Sequence, residues 1–172
     1  YTLIPVDETV GEDPEIAEII GEYKAEVAEN YLSEFPGMDS FDKVLAHLDF
    51  NLDQPGGELA DKALGNLITE GYLYAMDNLA GAGYDPVDRG VIRGSLTAGD
   101  VTVSQAFDVL SLGVGADGSA GYPLVSIYLT GKELKTGIEI DASISPLMEI
   151  AQLYTTGLKW EFNNHRMIFN RV

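Results

Sequence analysis

Arg93 is the residue whose neighbours best suit it to hold a ligand. Gly90 and Gly94 flank it, so the backbone can turn tightly and bring the guanidinium to a pocket edge. There it would grip a carboxylate or phosphate through two parallel hydrogen bonds. The plainer alternative is an ion pair with one of the 28 carboxylates of the chain, and residue types alone favour that alternative. Arg89 has the same two readings. Three other groupings suggest chemistry and fail on context. Gly113-Val114-Gly115-Ala116-Asp117-Gly118 has the spacing G-x-G-x-x-G. A dinucleotide site needs a strand before that spacing and a helix opening within it. Here a predicted helix precedes it, and Gly121-Tyr122-Pro123 breaks any helix that would follow. A surface loop is the better reading. Asp49, Asn51 and Asp53 open like a calcium loop, but the glycine and the closing glutamate of such a loop fall on Gln54 and Ala60. The only two histidines, His47 and His165, form no H-x-x-x-H pair and have no third histidine to join them. A complete zinc, two-metal or triad hydrolase site within these residues is therefore not expected. His47 lies inside an apolar run and reads as a core or interface residue.

Composition narrows the partners. The 172 residues, 45% of them hydrophobic, suffice for one well-buried core and fall short of two ordinary domains. A formal net charge of −18, from 28 acidic and 10 basic residues, repels nucleic acid and anionic lipid alike. No apolar run approaches the roughly 20 residues of a spanning helix, so neither nucleic-acid binding nor membrane insertion is expected. The absence of cysteine excludes a disulfide framework and a thiol nucleophile, and leaves the compartment open. The opening Tyr1-Thr2-Leu3-Ile4-Pro5 lacks an initiator methionine and the basic start of a signal peptide, and reads as a cut from a longer polypeptide.

The elements that must position these residues follow from periodicity. Asp13 suits a helix cap, with Pro14 at the first helical position and Glu15 and Glu18 near its positive end. Ile16, Ile19, Ile20, Tyr23, Val27 and Tyr31 then form an apolar stripe that Pro36-Gly37 ends. The spacing favours a helix packed on its own domain slightly over one docked on a neighbour. A strand is predicted from Phe41 to Leu52, with Val44, Ala46 and Leu48 on one side, and a second helix from Glu58 to Asn78. That helix would bury Leu59, Ala63, Leu64, Leu67, Ile68 and Ala75. Val87 to Arg93 reads as a strand entering a loop, and Ser104 to Leu110 as a short helix capped by Thr102 or Ser104. Leu124 to Thr130 alternates cleanly between apolar and polar residues and gives the strongest strand signal. A helix follows from Gly131 to about Asp141. Leu158 to Phe162 and Met167 to Phe169 flank Asn163-Asn164 as strands flank a hairpin turn. Interleaved strands and helices without a strict βαβ rhythm indicate an α+β fold, a single domain with a mixed sheet and helices packed on it.

Three phrases carry a resemblance: Leu64-Gly65-Asn66-Leu67-Ile68, Gly90-Val91-Ile92-Arg93-Gly94-Ser95-Leu96 and Leu129-Thr130-Gly131-Lys132-Glu133-Leu134. In this order and spacing they resemble the C-terminal domain of the 5'-nucleotidase and UDP-sugar hydrolase (2',3'-cyclic phosphodiesterase) family. Val125 to Glu139 is similar to the family's Thr-Gly-x-x-Leu strand and helix, and Leu153 to Phe162 to its Tyr-x-x-x-Gly-Leu segment. Leu3 to Glu8, with Asp13-Pro14-Glu15, looks like the junction after the family's catalytic domain. The chain departs from the family at three positions. Glu58 stands where an arginine is usual, Asp88 where the family's Asn-Gly-Gly-Gly-Ile-Arg phrase has asparagine, and Leu112 where phenylalanine stacks on the base. The arginine of that phrase is retained as Arg93.

The resemblance implies a junction over residues 1–12, an interdomain linker helix over 13–36 and a 5'-nucleotidase C-terminal-like domain over 40–172. That domain stops before the family's Gly-Gly-Asp-Gly segment. It implies a substrate-recognition domain for nucleotides or related phosphate esters, with Asp88, Gly90, Arg93 and Leu112 at the substrate and no catalytic residue. Hydrolysis would belong to an N-terminal metallophosphoesterase domain carrying two divalent metal ions, and this chain itself would hold no cofactor. A periplasmic, cell-surface or secreted location follows from the same likeness. A non-catalytic interaction module that kept the fold and lost the nucleotide clamp is the alternative, and Glu58, Asp88 and Leu112 are its support.

Overall fold

The computed structural model describes residues 2–7, 9–53, 62–80, 87–89, 92–111, 113, 115, 118, 121, 124–148 and 152–172, with backbone alone at 77–80 and 87–89. Local signals decide the helix starts. Helix α1 (Pro14–Asn30) is capped by Asp13, whose carboxylate accepts from the amides of Glu15 and Ile16. Helix α3 (Val103–Val109) and helix α4 (Gly131–Ile144) both begin with a reciprocal capping box, Thr102 with Gln105 and Thr130 with Glu133. Each box satisfies donors that a helix start otherwise leaves orphaned.

Helix α2 (Ala63–Ala80) organises the core. Leu64 and Ile68 are buried on it and join Leu52, Ile92, Leu96, Val101, Val109 and Tyr154 in one cluster. The buried face runs through Leu64, Gly65, Ile68 and Thr69, so Leu67, expected inside, is 51% exposed. Thr69 is fully buried and satisfies its hydroxyl on the carbonyls of Gly65 and Asn66, both at 3.1 Å. That back-bonding makes a polar residue tolerable on an apolar face.

The α+β class stands. The described strands pair as two antiparallel ladders, β1 (Val44–Leu48) with β3 (Gly99–Thr102), and β2 (Val87–Arg89) with β4 (Leu153–Thr155). A single antiparallel bridge between Leu52 and Leu96 carries the first pairing into the core. In the second, Val87 faces Thr155, Asp88 faces Tyr154 and Arg89 faces Leu153. Helix α2 packs on both β2 and β4.

Four sequence expectations are corrected. Leu124 to Thr130 is not a strand: all seven residues are exposed, up to 99% for Tyr128, and none pairs with another strand among the described residues. Alternation marks a backbone fit for a ladder without supplying the neighbour a ladder needs. The hairpin after Leu158 is absent too, because 158–163 forms no described strand and Asn163 meets Arg171 through a single backbone bond of 2.9 Å. The chain end folds back on α4 instead. The Phe169 amide donates to Ser143 Oγ, and those of Arg171 and Val172 donate to the Glu139 carboxylate. Phe169 takes the left-handed conformation, φ 63°, to make that approach. His47 is not a core residue. It stands opposite Asp100 across β1 and β3, its Nδ1 2.7 Å from Asp100 Oδ1, with both side chains largely exposed. Finally, the stripe of α1 does not pack on its own domain. Ile16, Ile19, Ile20 and Tyr23 are exposed and no residue of the helix is buried. Among the described residues the far end is tied down, by Lys24 to Asp42 at 3.3 Å and by Tyr31, whose ring meets Phe35 and, edge-on, Phe107.

Candidate functional site

Arg93 sits just beyond β2, and its backbone amide donates to the Val109 carbonyl at 2.9 Å. That bond fixes where the side chain starts, since Val109 ends α3 and is itself buried. Ile92 is buried beside it in the core while Arg93 is exposed. Ion pairs between described side chains are Lys24 with Asp42, Lys43 with Asp39 and His47 with Asp100, so Arg93 is not committed to a carboxylate among the described residues. The plainer reading of Arg93 therefore loses ground. The guanidinium faces solvent from a fixed backbone anchor, an arrangement suited to an anion arriving from outside.

The backbone of Asp88 lies in β2 opposite Tyr154. Gly90 and Leu112 lie outside the described residues, as do Gln54-Pro55-Gly56-Gly57, Glu58 and Gly81-Ala82-Gly83. The Gly113 to Gly118 run follows α3, as the rejection of a dinucleotide site requires. Of its described residues, Gly113 and Gly118 have positive φ, and the Gly121 amide donates to the Gly113 carbonyl at 2.7 Å. Asn51 serves the backbone, its Oδ1 accepting from Ala98 at 2.8 Å. No group of three or more His, Asp or Glu suited to a metal occurs among the described residues.

The Gly65-Asn66 phrase has a different role from Arg93. The ring of Tyr154 lies over Gly65 so closely that a Cβ there would overlap Cδ1 and come within 2.8 Å of Cε1. Only glycine fits. Next to this contact an open cleft of about 590 Å³ runs between Asn66 and the segment from Gln152 to Phe162. Trp160 and Phe162 line it as a tilted pair 5.5 Å apart, with Lys159 and Glu161 at hand. Such a wall can stack a flat ring. Arg93 is not part of it.

Sequence reasoning missed Asp141, which is 3% exposed on α4. Its Oδ1 accepts from Ser145 Oγ at 2.5 Å and from the Leu153 amide at 2.9 Å. The signal was available: Ile138, Asp141, Ala142 and Ser145 share one helical face, and an acid on a buried face needs a reason. Glu139, two residues earlier on α4 and half-buried, has its pKa lowered. Desolvation pushes it up, and the Arg171 and Val172 amides, the Ser143 hydroxyl and Lys135 together outweigh that.

A model of the family described as "5'-nucleotidase, C-terminal domain" matches residues 42–172. The chain belongs to that family. A relative from Bacillus subtilis (strain 168), the trifunctional nucleotide phosphoesterase protein YfkN, is 26% identical over 140 residues, 80% of this chain and 8% of its own length. The solved 5'-nucleotidase precursor from Thermus thermophilus superposes with a TM-score of 0.61 at 28% identity, covering 95% of this chain and 29% of that one. The chain thus spans less than a third of either relative. The likeness agrees with the α+β architecture, and no helix among the described residues is long and apolar enough to cross a membrane.

Proposed function

We propose that this domain recognises the substrate of a nucleotide phosphoesterase, with Arg93 meeting the phosphate or sugar. The observation that carries the reading is the exposed guanidinium of Arg93, uncommitted among the described residues, at the position that resembles the arginine of the family's Asn-Gly-Gly-Gly-Ile-Arg phrase. Asp88, Gly90 and Leu112 complete the site. Hydrolysis is assigned to a metallophosphoesterase domain N-terminal to this one, with two divalent metal ions. The exposed stripe on α1 supports its role as the linker helix between the two. UDP-sugars and other phosphate esters belong to the same substrate class. The word precursor in the name of the Thermus relative supports an exported protein, in the periplasm, at the cell surface or secreted.

The second reading, a non-catalytic interaction module, draws on the same exposed apolar stripe and on Leu112 in place of a stacking ring. Calorimetric titration of the full-length protein with AMP, adenosine and UDP-glucose separates the two. Saturable binding that Arg93→Ala weakens supports recognition. Silence with all three ligands overturns it in favour of the module.

A further inference from the structure

We propose that the buried Asp141 is a positioning residue for Arg93, acting through β4 and β2. The inference rests on the reading of Arg93 as a ligand contact. Asp141 is nearly inaccessible, and a carboxylate in that position is costly unless its oxygens accept hydrogen bonds. The Ser145 hydroxyl, one turn along the same helix, supplies one such bond locally. The second bond is not local. It reaches twelve residues on, to the amide of Leu153, the first residue of β4.

Leu153 stands opposite Arg89, the last residue of β2 and four positions before Arg93. The next residue of β4, Tyr154, is locked from the other side by Gly65 of α2, where its ring leaves no room for a side chain. Strand β4 is therefore packed on α2 and tied to α4 by the Asp141 bond, and β2 is paired in register with β4. From Ile92 the chain is held again, by burial of Ile92 and by the bond from the Arg93 amide to Val109. Asp141 thus fixes the near anchor of the segment whose far anchor carries the guanidinium. Coupling of this kind, through packed and hydrogen-bonded elements, shifts ligand affinity without contact to the ligand.

The test compares Asp141→Ala, Asp141→Asn and Arg93→Ala in the full-length protein, by KM and kcat for AMP and by amide hydrogen exchange. Asp141→Ala is expected to raise KM about three- to tenfold with kcat nearly unchanged, and Asp141→Asn, which keeps an acceptor oxygen without the charge, to fall in between. Exchange should accelerate at Val87, Asp88, Arg89 and Arg93 and stay unchanged along α1. A carboxylate that serves stability alone would lower Tm while leaving KM and exchange in β2 unchanged in fully folded protein, and that result overturns the proposal. Should Asp141→Ala fail to fold, unchanged KM and β2 exchange in Asp141→Asn overturn it equally. If Arg93→Ala leaves KM unaltered while Asp141→Ala accelerates exchange at Arg93, the ligand reading fails and the clamp stands. If Arg93→Ala raises KM and Asp141→Ala alters neither readout, the clamp fails and the ligand reading stands. Without AMP turnover, the exchange comparison alone decides the clamp.

Discussion

Two phrases of similar prominence in the sequence do opposite work. Leu64, Gly65 and Ile68 of the first phrase lie in the core, where Leu64 is 1% exposed and Gly65 receives an aromatic ring. Arg93 stands on the surface with its backbone fixed and its charge uncommitted among the described residues. The difference teaches that a recurring motif can mark packing or contact, and that burial separates the two. Substitutions at the buried residues of the first phrase should cost stability, and substitution at Arg93 should cost ligand.

The largest expected effect is Leu64→Ala, which deletes a fully buried side chain and should lower unfolding free energy by about 3 kcal/mol in urea titration. A loss under about 1 kcal/mol would mean that α2 is not the centre of the core. Gly65→Ala comes next, at about 2 kcal/mol. Alanine gains up to about 1 kcal/mol of helix propensity, but the overlap with Tyr154 forces a packed ring to move, and overpacking costs more than propensity returns. A stabilised Gly65→Ala would contradict the contact. Thr130→Ala removes the capping box of α4 and should cost about 1 kcal/mol, read as a lower thermal midpoint. Leu67→Ala, within the same phrase but half exposed, should stay within about 0.5 kcal/mol, and a larger loss would erase the distinction between the two faces of α2.

Acid sharpens the comparison at the chain end. Because the folded-state pKa of Glu139 is below its ordinary value of 4.5, its contribution is complete above that value and fades as pH falls through the folded-state value. Glu139→Gln should therefore flatten the stability profile below about pH 4.5 and leave nucleotide affinity alone.

The parts legible in the sequence are those whose cause is local. Asp13 caps α1 as expected, and of the two caps expected for α3 it is Thr102 that serves, because a cap closes within three residues. Leu124 to Thr130 misled because its pattern is local and a ladder is not. His47 misled in the same way: an apolar run suggested burial, whereas the partner that holds it, Asp100, comes from a strand 53 residues on. Of the proposed site, Arg93 stands exposed, as a ligand contact requires. The burial of Asp141 was legible from its helical face, but its partner Leu153 was not, since the two meet only in the folded chain.

The central claim, that Arg93 binds ligand and does not build the fold, is tested most directly by Arg93→Ala in the full-length protein, with kinetics and thermal midpoint read on one sample. A charged hydrogen bond of about 1.5–3 kcal/mol predicts a fall in kcat/KM for AMP of roughly ten- to a hundredfold, with Tm unchanged. Unchanged kinetics, or a drop in Tm that accounts for the lost activity, would contradict it.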